Sequence, residues 1–285
     1  KHDDMFPLAG GGNKARKIRY ILDRAQAEGS DALVSAGAAG SNHARVVALM
    51  AARLGWKCKL VIHDRADSRH PNLRLMRLAG AELIFTDLAS VARVMNEAMS
   101  DFRREGANPF YIWGGGHLLE GGLAYYNAYG ELIEQLGAAP DFIVCASGTG
   151  TTQAGLHTGA LLDEAASPRV LGISVARAEA RGKAAVVESI RELLAFLGHS
   201  AAPGYVEFYD DWIQGGYGKS GPEIFEAIEW AARMEGIVLD PVYTGKAFAG
   251  MLAKIRAGEI APGSRVVFWH TGGLLNLAAD EAVGS

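Results

Sequence analysis

Short apolar runs alternate with amphipathic stretches along most of this 285-residue chain, and glycine marks nearly every junction. In the first half Ala32–Ala36, Lys57–Ile62, Glu82–Phe85 and Pro109–Ile112 read as strands. Between them lie helical stretches: one with Val46, Val47, Leu49, Met50 and Leu54 inward, one over Asn72–Leu78, and one over Val91–Glu105. A βαβα order with apolar strands demands a parallel sheet covered by helices on both faces. The second half repeats the grammar. A helix runs through Tyr125 to Leu136, and Phe142–Ala146 is the most apolar short strand. Helix Thr152–Leu162, strand Val170–Val175 and helix Lys183–Leu197 follow. Residues 198–221 read as loop. Pro222 suits the first turn of a helix reaching Met234. A helix over Gly245–Ala257 and a strand over Val266–Trp269 close the pattern. No Gly/Pro linker separates the halves, so two domains would be interwoven.

Composition narrows the function. A charged content of 21% and a net charge of −4, with no dominant basic patch, argue against a nucleic-acid partner. No apolar run reaches membrane-spanning length, so no membrane partner is expected. Cys58 and Cys145 sit in separate apolar runs, which points to a reducing compartment, and a cytoplasmic protein is expected. The chain starts at Lys1-His2-Asp3-Asp4 with no leader pattern, and reads as a domain whose first segment lies outside this numbering. The eight histidines form no H-E-x-x-H and the cysteines no C-x-x-C, so no metal is expected. A G-x-S-x-G nucleophile elbow is also absent.

Gly10-Gly11-Gly12-Asn13-Lys14-Ala15-Arg16-Lys17 is a glycine loop running into a helix whose apolar face carries Ile18, Ile21, Leu22 and Ala25. Lys14 stands at the junction, where unpaired N–H groups and the helix dipole make the potential positive, and Arg16 and Lys17 add to it. A lysine in cationic, partly desolvated surroundings loses its proton more easily and becomes a nucleophile. Taken alone, the stretch reads first as a solvated basic helix start.

Ser147-Gly148-Thr149-Gly150-Thr151-Thr152 lies between an apolar strand and a helix. Successive amides and hydroxyls there make an anion nest suited to a phosphate monoester. It is neither G-x-x-x-x-G-K-[ST] nor G-x-G-x-x-G, because no lysine follows and Gln153 takes the third-glycine place. A plain βα turn is the alternative. Ser41-Asn42-His43 opens a helix after a strand, where α/β folds bind ligands. Ser41 and adjacent amides can hold a carboxylate, and Asn42 a ring hydroxyl; a simple N-cap competes with this. His43 serves either packing or the ligand. Tyr243-Thr244-Gly245-Lys246 and Trp269-His270-Thr271-Gly272-Gly273 are polar clusters after apolar stretches, and Tyr217 sits in a glycine loop.

In this order, these motifs resemble the D-cysteine desulfhydrase and 1-aminocyclopropane-1-carboxylate deaminase family over nearly the whole chain. The matching pieces are Gly11-Gly12-Asn13-Lys14, Ser41-Asn42-His43, the Ser147–Thr152 turn with Gln153-Ala154-Gly155, Asp240-Pro241-Val242-Tyr243 with Gly245-Lys246, and His270 with Gly272-Gly273. The resemblance implies an α/β protein of the tryptophan-synthase-β-like fold, type II, with two interwoven three-layer domains and parallel-rich sheets. The smaller domain would span 17–126, and the larger 1–16 with 127–285. Pyridoxal 5′-phosphate would lie in the cleft between them. Lys14 would form the internal Schiff base, Asn42 would bond the ring hydroxyl, and residues 147–152 would hold the phosphate. Ser41 and Tyr217 would lie near substrate, Tyr243 near the reacting carbon. A homodimer is implied as well.

Two positions separate the branches. The deaminase branch resembles this chain less at Thr244 and Thr271, where it carries Glu and Leu, whereas the desulfhydrase branch carries Thr at both. A carboxylate beside the pyridine nitrogen favours its protonated, electron-withdrawing form, and a threonine hydroxyl does not. The expected activity is therefore β-elimination from a small amino acid, giving ammonia and a 2-oxo acid. Cyclopropane ring opening and a non-catalytic binding homologue stay as alternatives. The chain departs from the family at Gly40, where a glutamine is usual and where the glycine opens space. It departs again at Trp113–Gly121, where His117 and Glu120 add ionisable groups near the expected substrate pocket.

Overall fold

The computed structural model describes residues 1–66 and 69–280. By internal contacts the chain separates into two compact units, Phe6–Glu120 and Lys1–Met5 with the chain from Gly121 onward. The first contains α1 (Asn13–Ala27), β1 (Ala32–Gly37), α2 (Asn42–Leu54), β2 (Lys57–Ile62), α3 (Pro71–Leu78), β3 (Glu82–Phe85), α4 (Val91–Arg104) and β4 (Pro109–Ile112). Its sheet has the order β3-β2-β1-β4, parallel throughout, with Leu33 beside both Cys58 and Phe110. The two-residue period of β1 sorts its side chains between two cores. Leu33 packs with α1, α2 and α3, whereas Ala32, Val34 and Ala36 pack with Val94, Met95, Ala98, Met99 and Phe102 of α4. Residues 6–16 belong to this unit, whereas the sequence reading placed 1–16 with the larger domain. The reason is local: the glycine loop leads straight into α1, and Ala15, Ile18, Ile21 and Leu22 are buried in this core.

The second unit contains α5, which begins just before the unit boundary (Leu119–Leu136), then β5 (Phe142–Ser147), α6 (Thr151–Leu162), β6 (Arg169–Ser174), α7 (Glu179–Phe196), β7 (Glu207–Tyr209), α8 (Pro222–Glu235), α9 (Thr244–Arg256), β8 (Val266–Trp269) and α10 (Leu274–Leu277). The sheet order is β7-β6-β5-β8, again all parallel. Ile143 and Cys145 face α5 and α6, while Phe142, Val144 and Ala146 face α8 and α9. Each fully buried Leu, Ile or Val contributes about 1.5–3 kcal/mol. That is why strands buried on both faces can be nearly continuous apolar runs. Asp3, fully buried, anchors the N-terminal segment by accepting from Tyr125 Oη and from Trp269 Nε1 (2.8 Å).

Strand β7 lies inside residues 198–221, whose sequence pattern predicts loop. Its first residue is a carboxylate, which hides it from an apolar pattern. Glu207 is nonetheless buried, because Arg169 on β6 grips it with two 2.7 Å bonds and Tyr209 Oη donates at 2.7 Å. No helix among the described residues is long and apolar enough to cross a membrane.

Candidate active site

Gly10, Gly11 and Gly12 have φ of 79°, 75° and 90°, a left-handed run open only to glycine at low cost. It delivers Lys14 as the second residue of α1. The Lys14 Nζ donates to the Gly115 carbonyl at 3.0 Å, its one hydrogen bond among the described residues. No carboxylate among the described residues pairs with it. Burial pulls the ammonium pKa down from 10.5 to about 8, so the amine is easier to deprotonate than an ordinary lysine, though still mostly protonated at neutral pH. Gly115 belongs to the glycine turn 114–116, which stands where the sequence departs from the family. Glu120, expected to add charge to a substrate pocket, instead accepts from Arg24 of α1 at 3.0 Å. His117 follows the turn, half-buried.

Ser41 caps α2, its Oγ accepting from Ala44 N at 3.1 Å. The cap uses a lone pair and leaves the hydroxyl proton to donate elsewhere. Asn42 is oriented by a residue the sequence reading did not single out. Asn72 Nδ2 donates to the Gly40 carbonyl at 2.9 Å and to Asn42 Oδ1 at 3.0 Å. A carbonyl can only accept, so the nitrogen of Asn72 is identified. Asn42 must then turn its oxygen toward Asn72 and its NH₂ away, as a donor for a ligand acceptor. Nothing in the local sequence of Asn72, which reads as the start of a helix, signals a bond across thirty residues.

His43 is 3% exposed. Ser35 Oγ donates to the Ile112 carbonyl at 2.9 Å and therefore accepts from His43 Nε2 at 3.0 Å, which places the imidazole proton on Nε2. Burial, then the charges of Lys14 and Lys17, hold its pKa well below the ordinary value. This ring is turned into the core of its unit. The space expected beside Gly40 is also taken: a Cβ there would meet His70 Nε2 at 3.1 Å. His70 is itself fixed, its Nδ1 accepting from Asn72 N at 3.1 Å as the cap of α3.

In the second unit the Ser147–Thr152 turn joins β5 to α6. Gly150 caps α6 with φ 98°, and a Cβ there would stand 2.9 Å from Val186. The Thr149 carbonyl accepts from Arg177 at 3.1 Å, so the turn is held from behind by a cation. Ser147 Oγ is buried without a hydrogen-bond partner among the described residues, and such an atom calls for a ligand.

The Asp240 carboxylate is fully buried and accepts four bonds: from Val242 N (3.0 Å), Tyr243 N (3.1 Å), Thr244 N (2.9 Å) and Thr244 Oγ1 (2.8 Å). Burial still wins, raising its pKa to about 6. Thr244 Oγ1 also accepts from Asp240 N at 2.8 Å, so its proton is committed to Asp240 and only a lone pair remains. Gly273 packs against the Asp240 side chain with no room for a Cβ, which brings the Thr271 turn beside the Thr244 turn. His270 shapes that turn by accepting from Gly272 N at 3.2 Å and donating to the Val238 carbonyl at 3.0 Å. The hydroxyls of Tyr217 and Tyr243 meet, with the rings edge-on at 5.9 Å. Burial raises both phenol pKa values, Tyr243 far above the ordinary range, so both are proton carriers and not bases at neutral pH.

The family pattern of the pyridoxal-phosphate dependent enzymes matches residues 1–272. The chain belongs to this family. A 1-aminocyclopropane-1-carboxylate deaminase of Methylobacterium nodulans is 37% identical over 96% of this chain and 85% of its own length. A D-cysteine desulfhydrase of Yersinia enterocolitica is 34% identical over the same shares. The crystal structure of a homologue of the deaminase has 36% identity and a TM-score of 0.89, covering 97% of this chain and 84% of that one. The fold is thus the one expected from the motifs, and the chain is a pyridoxal-phosphate dependent enzyme. Its residues fit that group: Lys14 is a lysine whose pKa burial lowers to about 8, Asn42 presents a donor, and the Ser147 hydroxyl, without a partner among the described residues, lies in a glycine turn at a helix N-terminus.

Proposed function

We propose that this enzyme removes a β-leaving group from a small amino acid and releases ammonia and a 2-oxo acid. Lys14 would hold the cofactor aldehyde, Asn42 its ring hydroxyl, and residues Ser147, Gly148, Thr149, Gly150, Thr151 and Thr152 its phosphate. When bound, pyridoxal phosphate draws electron density from the substrate α-carbon. The chain then has to move one proton. Once the substrate amino group has taken its place on the aldehyde, Lys14 would be free as an amine to take the proton from the α-carbon, and the β-substituent would leave with its bonding electrons. Tyr243 and Tyr217 keep their protons and serve as donors. The Ser41 hydroxyl and the amides at the start of α2 suit the substrate carboxylate. His117 stays near substrate in this reading, while His43 serves packing. The protein works as a cytoplasmic homodimer.

The observation that carries the reading is the pair of turns bearing Thr244 and Thr271. The acid there, Asp240, is spent on four donors of its own turn, and Thr244 offers in its place a neutral oxygen whose proton is committed to Asp240. A weak electron sink suffices for expelling a thiolate or halide and serves a strained-ring opening poorly. Ring opening is the second reading, favoured by relatives named as deaminases. Assay of 2-oxo acid release from D- and L-cysteine, β-chloroalanine and 1-aminocyclopropane-1-carboxylate decides. The expected result is pyruvate from the first group and almost no oxo acid from the cyclopropane; the reverse preference overturns the proposal.

A further inference from the structure

Lys246, the third residue of α9, has no exposed surface, and no acid among the described residues pairs with it. Its Nζ donates to three backbone carbonyls: Val175 at 3.1 Å, Ile213 at 2.9 Å and Gly216 at 3.1 Å. Val175 is a fixed point, because its own N–H is bonded to Ser147 O beyond the ends of the paired strands β5 and β6. Ile213 and Gly216 are the two ends of one turn, closed by Gly216 N donating to Ile213 O at 3.0 Å. The residues between them, Gln214 and Gly215, both have positive φ, 52° and 83°, the primed form of a tight turn. Gln214 is not a glycine, so this conformation is held at a cost and needs an outside restraint. Tyr217 is the next residue.

The start of α9 therefore meets this loop at three places. Tyr243 touches the Tyr217 hydroxyl, Lys246 holds the turn in front of it, and Pro241 O accepts from Ser220 Oγ at 2.6 Å behind it. We propose that Lys246 is a positioning residue, whose ammonium fixes the Ile213–Gly216 turn so that the Tyr217 phenol is presented against Tyr243. The inference rests on the reading of Tyr217 as a substrate residue. It assigns Lys246 no contact with substrate or cofactor.

The test uses the holoenzyme in four forms: wild type, Lys246→Met, Tyr217→Phe and the double variant, with Lys246→Gln as a milder replacement should the methionine fail to fold. If Lys246 acts through Tyr217, each single variant loses turnover by up to ~10²-fold, the double loses no more than Tyr217→Phe, and visible absorption of bound cofactor is unchanged. Trypsin cleavage after Lys219 should accelerate in the Lys246 variants and not in Tyr217→Phe. Losses that multiply in the double variant, or cleavage unchanged by loss of Lys246, overturn the proposal. Faster cleavage in the Lys246 variants with a silent Tyr217→Phe leaves the clamp standing and sinks the reading of Tyr217 instead.

Discussion

Lys14 and Lys246 stand two and three residues into their helices, each after a turn, and both have their pKa lowered to about 8 by burial. Titration does not tell them apart; hydrogen bonding does. All three N–H directions of Lys246 end on carbonyls, so its amine is committed to structure. Lys14 has one carbonyl, Gly115, and two directions left. A depressed pKa marks a lysine that burial has disturbed. The count of unfilled donors marks one that can react.

The largest effect that can break this comparison is covalent. Borohydride reduction of the holoenzyme should fix the cofactor on the peptide carrying Lys14, and Lys14→Ala should lose turnover by ~10²–10⁴-fold or more. Label on Lys246 would invert the assignment. Next in size is retention of the cofactor. Gly150→Val demands a left-handed φ of a β-branched residue and puts its Cβ against Val186. Visible absorption after gel filtration should be lost while the circular dichroism of the fold persists; full retention would make the Ser147–Thr152 turn merely structural. A smaller loss is expected from Asn72→Ala, which leaves the Asn42 amide free to rotate. It should weaken cofactor binding by about tenfold, the worth of one net hydrogen bond of ~1 kcal/mol or slightly more. Equilibrium titration of the apoprotein measures it, and unchanged affinity would remove Asn72 from the site.

The same contrast between burial and bonding explains what could be read from the sequence. Strands 57–62, 82–85, 109–112 and 266–269 appear with the expected bounds because buried parallel strands are apolar runs closed by turns. Strand β7 does not show, since its burial depends on an ion pair made 38 residues away by Arg169. Helix α7 begins at Glu179, four residues before the expected Lys183, because its first amide is capped at a distance, by Asp210 Oδ2 at 2.7 Å. The one-turn α10 is too short to carry a period. Of the residues proposed for function, Lys14, Asn42 and the Ser147–Thr152 turn stand out in the sequence as motifs at loop-to-helix junctions. Their supports do not: Asn72 and Arg177 act through bonds 28 to 32 residues long.

The remaining effect is on stability alone, with no change of turnover read, and it sharpens the comparison of the two lysines. Each has a folded pKa near 8 against an ordinary lysine value of 10.5. Below pH 8 both states are protonated, and the folded state carries the cost of the buried charge. Between 8 and 10.5 the unfolded chain binds more protons, so stability rises with pH across that window. Lys14→Met should flatten this rise, seen as the difference in urea midpoint between variant and wild type at pH 7.5 and 10. Below pH 8 the variant should gain, because methionine has no charge to bury and only the Gly115 carbonyl is deserted. Lys246→Met flattens the rise equally but deserts three carbonyls, each costing ~1–3 kcal/mol if left unpaired. It should therefore be less stable than wild type at both pH values. If the two variants shift the midpoint alike, the three carbonyls of Lys246 are no more demanding than the one of Lys14, and counting donors does not distinguish a reactive lysine from a structural one.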